Sequence, residues 1–167
     1  IKKQPVLSFV GKLDYMTNQI FRRLTTTPQM MSVFDDAGIL QAMLDFEKAL
    51  AAAESKCNIF EPSIANTIAE CCQISEFSIS DLSESASRHG TIVVPLVQKL
   101  TELVAFKDQA ASDWVHHGAT SQDVIDTAMI IQIKKGLTII EGDIGRLTSG
   151  LESLVIKYSN QIMIGRT

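Results

Sequence analysis

The chain has 167 residues, a formal net charge of -4 and an apolar fraction of 46%, with a mean hydropathy of +0.14. Its 15 Lys and Arg are scattered and outnumbered by 19 Asp and Glu, which argues against a nucleic-acid partner, because phosphate binding needs clustered cations. No apolar run reaches the eighteen or so residues that span a bilayer, and the lead "IKKQPVLSFVGKLDY" lacks a signal-peptide core, so no membrane partner and a cytoplasmic location are expected.

The apolar recurrence at three and four residues over most of the sequence predicts an all-α fold. Residues 1–29 read as an N-terminal arm, with Met16 in "MTNQIFRRL" a candidate start. Residues 30–119 read as an N-terminal helical domain, and 120–167 as the start of a long-helix bundle, cut short at "QIMIGRT", which carries no capping glycine or polar tail. The high apolar content predicts a surface that meets another subunit.

In "DDAGILQAMLDFEKALAAAESKC", Asp35 or Asp36 is a suitable N-cap. Ile39, Met43, Phe46, Leu50, Ala53 and Cys57 follow at steps of four and three, widened by Leu40 and Leu44. Pro62 suits the first turn of a second helix with Ile64, Ile68 and Cys71 or Cys72 on one face. Three cysteines, Cys57, Cys71 and Cys72, two of them adjacent, suit a reducing compartment, and buried packing is the expected role of each. A third helix runs through "SDLSESASRH" with Ser80 as N-cap and Gly90 just past its end. Pro95 opens a fourth, "PLVQKLTELVAF".

The last segment differs in kind. Ile130, Ile133, Leu137, Ile140, Ile144, Leu147, Leu151, Leu154 and Tyr158 form an unbroken heptad seam, on a helix of roughly 38 residues and about 57 Å. Such a helix belongs in a bundle of equally long helices. Close helix approach would explain Gly136, Gly142, Gly145 and Gly150 within it.

Its start lies in "WVHHGATSQDVIDTAM". Thr120 as N-cap with Asp123 three residues on makes a capping box, and capping alone accounts for much of the pattern. The same residues also fit an anion site: free amides at a helix start, the hydroxyls of Thr120 and Ser121, Gln122 beside them, and His116 and His117 just before. Gly118 lets the chain turn sharply between them. Adjacent histidines do not share a helix face, so at most one is expected to point into a pocket at the helix mouth.

"HHGATSQDVIDTA" resembles the first signature region of the fumarase/aspartase superfamily, a His-x-Gly-x-Thr-Ser-x-Asp pattern opening a long central helix. "FDDAGILQAMLDFEKALAAAE", "VVPLVQKL" and the closing "GRT" are similar to its muconate cycloisomerase branch. The resemblance covers roughly residues 30–167. It implies addition or elimination across a double bond beside a carboxylate, through an aci-carboxylate carbanion. In the cycloisomerase branch a substrate carboxylate closes onto its own double bond to give a lactone. It further implies a small polycarboxylate substrate, no metal, no cofactor, and a homotetramer whose sites are shared among three subunits.

Residue by residue, His116 matches the family's histidine and is the catalytic candidate, while Thr120 and Ser121 match its carboxylate-binding pair. Arg166 and Thr167 match the opening of the second signature region and, with Gln122, are further substrate-binding candidates. His89 in "SRHG" resembles the Arg-His pair of adenylosuccinate lyases, and is either substrate-binding or a histidine favoured at a helix C-terminus. His117 departs from the aromatic usual at its position. The Ser-rich loop expected to carry the base has no counterpart here, so residues 1–167 alone are expected to be inactive. Three readings stay open: a cycloisomerase, an adenylosuccinate lyase-like enzyme, and a non-catalytic helical assembly module.

Overall fold

The computed structural model describes residues 23–162, 164 and 165, all of them helix or connection with no strand among them. The greater part of the N-terminal arm, together with Arg166 and Thr167, lies outside the described residues. Residues 23–25 are helical, and from Pro28 onward the helices are α1 (Pro28–Phe34), α2 (Asp36–Lys56), α3 (Pro62–Cys71), α4 (Ile79–His89), α5 (Val93–Lys107), α6 (Gln109–Ser112) and α7 (Ser121–Tyr158). A 3-10 turn, Ile74–Glu76, links α3 to α4.

Local chemistry sets most of the boundaries. Asp35 caps α2 by accepting from Gly38 N at 2.8 Å, and Pro62 opens α3 at a position whose N–H would be unpaired anyway. Gly90 ends α4 in the left-handed conformation at φ 69°, which costs a residue without Cβ little. Two starts differ from the sequence expectation. Ser78, not Ser80, caps α4, and the Ser80 hydroxyl instead lies 3.0 Å from that of Ser78. Helix α5 opens at Val93, before Pro95. Because first-turn amides have no intrahelical acceptor, Pro95 fits at the third helical position at no hydrogen-bond cost.

The core gathers where α2, α3, α5 and the first turns of α7 meet, with Leu44, Ile68, Leu96, Leu100, Val104 and Val124 fully buried. Each large side chain there contributes roughly 1.5–3 kcal/mol by leaving water. The first half of α2 buries the expected stripe, with Leu40, Met43 and Leu44 in the core and Ile39 and Phe46 packed against it. The second half departs from it: the buried face runs on through Glu47, Ala51 and Glu54, whereas Ala53 and Cys57 are exposed. Cys57 is therefore not a packing residue, while Cys71 and Cys72 are; burial pushes the Cys72 thiol up to about 12.

Helix α7 has the length and the start read from the sequence: 38 residues with Thr120 as N-cap. It buries a narrow strip, Val124, Ala128, Gln132 and Gly136, one residue per turn, against α1, α2 and α5. At Gly136 a Cβ would sit 3.3 Å from Phe34 Cε2 and 3.4 Å from Met30 Sδ, so α1 crosses closely there. Gly145 and Gly150 face open space and Gly142 meets only an Arg146 nitrogen at 3.7 Å, so close approach within this chain explains Gly136 alone of the four. The heptad seam is turned outward, from 40% exposed at Tyr158 to 62% at Leu147. Long as it is, no helix of the described residues is apolar enough to cross a membrane.

Candidate active site

The connection from α6 to α7 is built on two left-handed residues, His116 at φ 58° and Gly118 at φ 68°. At Gly118 an added Cβ would meet nothing nearer than Glu54 Oε1 at 3.9 Å, so the backbone conformation and not crowding calls for glycine there. His116 has no such freedom, and a left-handed L-residue costs roughly 1–2 kcal/mol. An interaction offsets that strain. His116 Nδ1 lies 2.7 Å from Glu47 Oε1, and His117 Nδ1 lies 2.8 Å from Glu54 Oε1.

Both rings thus address α2, although adjacent residues of a regular helix would diverge; the left-handed step at His116 removes that constraint. Glu47 and Glu54 stand two helical turns apart on the same face, 1% and 8% exposed. Each keeps its second carboxylate oxygen buried without a hydrogen-bond partner among the described residues. Burial pushes the Glu47 carboxyl above its ordinary value, and the neighbouring His116 works against that rise. Behind the turn, Trp114 meets the His117 ring edge-on at 5.0 Å and the Phe60 ring at 5.1 Å. The outer histidine is thereby wedged between an aromatic wall and a buried carboxylate.

The mouth of α7 sorts the hydroxyls. Thr120 N donates to Asp123 Oδ2 at 2.8 Å and Thr120 Oγ1 to the same oxygen at 2.7 Å, while Asp123 N donates back to Thr120 Oγ1 at 3.3 Å. The capping box therefore occupies the Thr120 hydroxyl. These bonds, with His116 nearby, hold the Asp123 carboxyl below its ordinary value. Gln122 Nε2 donates to Asp126 Oδ1 at 2.7 Å on the same helix. The half-buried Ser121 is the exception: its hydroxyl makes no hydrogen bond among the described residues. With the unpaired amides of the first turn it forms a donor set for an anion.

His89 is not part of this constellation. Its Nδ1 lies 2.9 Å from the carbonyl of Ser85, one turn back on α4, Arg88 pairs with Glu84 at 2.6 Å, and no hydrogen bond or ion pair joins either to the 114–123 turn among the described residues. Sequence reasoning also missed two residues here, Glu47 and Glu54. Their signal was present: an apolar stripe stepping 40, 44, 47, 51, 54 that carries an acid at two of its five positions.

An all-α chain with this His-x-Gly-x-Thr-Ser-x-Asp turn at the mouth of a long helix defines a class, and comparison with known proteins gives the family. A family model described as Lyase matches residues 22–167, and the chain belongs to that family, within the fumarase/aspartase superfamily. It is 38% identical over 152 residues to 3-carboxy-cis,cis-muconate cycloisomerase of Pseudomonas putida, covering 91% of this chain and 36% of that protein. To adenylosuccinate lyase of Pyrococcus horikoshii it is 32% identical over 139 residues, covering 83% and 30%. The crystal structure of 3-carboxy-cis,cis-muconate lactonizing enzyme from Pseudomonas putida superposes with a TM-score of 0.81 at 37% identity, over 90% of this chain and 34% of that one. The chain therefore spans about a third of the length of these relatives.

Proposed function

We propose that this chain is the first third of a cytoplasmic, homotetrameric cycloisomerase that converts 3-carboxy-cis,cis-muconate to a carboxymuconolactone. The observation that carries the reading is the free donor set of Ser121 at a helix start, next to an anchored His116, in a chain whose similarity to 3-carboxy-cis,cis-muconate cycloisomerase extends over nine-tenths of its length.

In the reaction one carboxylate oxygen forms a bond to a carbon of the double bond. The π pair moves to the neighbouring carbon and into its carboxylate, giving an aci-carboxylate, and that carbon then takes a proton. The Ser121 hydroxyl and the first-turn amides of α7 hold a substrate carboxylate, where the helix dipole favours the growing negative charge. His116, ring fixed through Nδ1, presents Nε2 as a proton carrier, an acceptor while the ring is neutral and a donor once it is protonated. Thr120 and Gln122 shape the mouth through the cap and its first turn, and Arg166, Thr167 and His89 complete sites from other elements or subunits. The outward heptad seam supports assembly into a long-helix bundle.

The test is turnover by the parent protein that carries this segment within the full length of its relatives. Loss of the ultraviolet absorbance of 3-carboxy-cis,cis-muconate, with the lactone found as product, is the expected result. Cleavage of adenylosuccinate instead would replace this reading with the lyase one, and activity on neither would leave a helical assembly module. Residues 1–167 alone are expected to turn over neither substrate.

A further inference from the structure

The buried acid at position 47 is expensive, and the fold gives no packing reason for it. A Leu or Met there would continue the apolar stripe of α2, and replacing a buried charged group by a well-packed apolar one is often neutral or stabilising. What Glu47 does instead is reach one atom of the left-handed turn, His116 Nδ1, at 2.7 Å. The strained backbone at His116, φ 58°, brings the ring to that carboxylate. The second imidazole nitrogen, Nε2, then makes no hydrogen bond among the described residues, and the ring is 18% exposed against 1% for its partner. One nitrogen is thus turned to the core and the other left for whatever binds at the helix mouth.

We infer that Glu47 is a positioning residue that locks His116 as the Nδ1–H tautomer when the imidazole is neutral, so that Nε2 is its free lone pair at the mouth of α7. The assignment of His116 to the reaction rests on the proposed function, whereas the lock itself does not. While ionised, the Glu47 carboxylate has no proton to give and can only accept, so the proton of a neutral imidazole beside it sits on Nδ1, the nitrogen that faces it. Glu54 does the same for His117 two turns further along α2. That pair stands beside Trp114 and supplies an internal control, because loss of Glu47 leaves it intact.

The test uses 15N-histidine-labelled protein in magic-angle-spinning NMR, which tolerates self-association. The chain holds three histidines, so His116→Asn and His117→Phe suffice to assign the spectrum. At a pH where the rings are neutral, wild-type His116 is expected as the Nδ1–H tautomer. In Glu47→Leu, shown folded by circular dichroism, it is expected to shift to Nε2–H or a mixture while His117 keeps its pattern. An Nε2–H tautomer for wild-type His116 overturns the inference whether or not Glu47→Leu folds, and so does an unchanged His116 in a folded Glu47→Leu protein. In the parent enzyme Glu47→Leu is expected to lower kcat at least tenfold with KM within twofold. Unchanged kcat there overturns the positioning role. A wild-type parent inactive on 3-carboxy-cis,cis-muconate overturns the functional reading instead, and the tautomer then decides the lock.

Discussion

Gln132 Nε2 donates to the carbonyl oxygen of Val33 over 2.6 Å, joining residues 99 apart in sequence. Gln132 is buried on α7, and Val33 belongs to the last turn of α1, where carbonyls have no intrahelical donor left. This single bond therefore satisfies a helix end and pins α1 across the long helix above Gly136. Replacing Gln132 by Leu keeps the volume and strands the carbonyl. The expected loss is about 1–3 kcal/mol of stability, read as a lower denaturant midpoint with an unchanged slope. An unchanged midpoint would mean that the carbonyl finds water and that the bond is dispensable.

His117→Phe removes the partner of a buried acid while keeping the ring against Trp114. The substitution is expected to cost about 1–3 kcal/mol of stability, because Glu54 is left without its donor. Adding Glu54→Leu should restore most of that loss, since removing both partners of a buried polar pair is far milder than removing one. A double-mutant cycle on thermal midpoints measures it. Additive losses would show that the two side chains do not interact.

Two carboxyls give stability opposite dependences on pH. Burial raises Glu47 from 4.5, so the folded chain holds that proton more tightly than the unfolded one. Its contribution is complete below 4.5 and is lost as pH rises through the raised value. The Thr120 bonds lower Asp123 from 3.8; its contribution is present above 3.8 and is lost as pH falls through the lowered value. The melting temperature of Glu47→Gln, relative to wild type, is therefore expected to climb as pH rises from about 4 toward neutrality. That of Asp123→Asn should fall as pH rises from about 2 to 4. Slopes of the same sign would refute one of the two environments.

Thr120 and Ser121 are adjacent hydroxyls with different engagements, and substitution should separate them. Thr120→Ala removes the cap and is expected to cost about 1 kcal/mol of stability. Ser121→Ala removes a hydroxyl with no partner and should change stability by less than about 0.5 kcal/mol. In the parent enzyme, however, Ser121→Ala is expected to cost about 3 kcal/mol in the transition state, near 150-fold in turnover. Full turnover with a lowered melting temperature in Ser121→Ala would leave it a capping-region residue and nothing more.

The long helix was legible in the sequence because its signals are local and redundant. Thr120 and Asp123 mark the start, and the seam from Ile130 to Tyr158 marks the period. The face of α2 was harder to read. Counting glutamate as a solvent residue displaced the stripe toward Ala53 and Cys57, since no property of a lone sequence tells that Glu47 and Glu54 will meet two imidazoles from a turn more than sixty residues away. The start of α5 went astray for a related reason: a proline inside a first turn is as comfortable as one at its opening, so Pro95 alone does not fix the boundary. The motif from His116 to Asp123 was readable as a candidate site, but which hydroxyl the cap consumes is decided by side-chain geometry.

The outward seam also makes the distal part of α7 a matter of mass action. Beyond Gly136 the helix has little of its own chain to lean on, and a bare helix with several glycines is marginal in water. Whatever covers those leucines and isoleucines contributes its binding free energy directly to keeping the last turns wound. The rate of amide hydrogen exchange from residue 137 to 158 should then fall as protein concentration rises, while exchange in the Leu44 and Leu100 core stays constant.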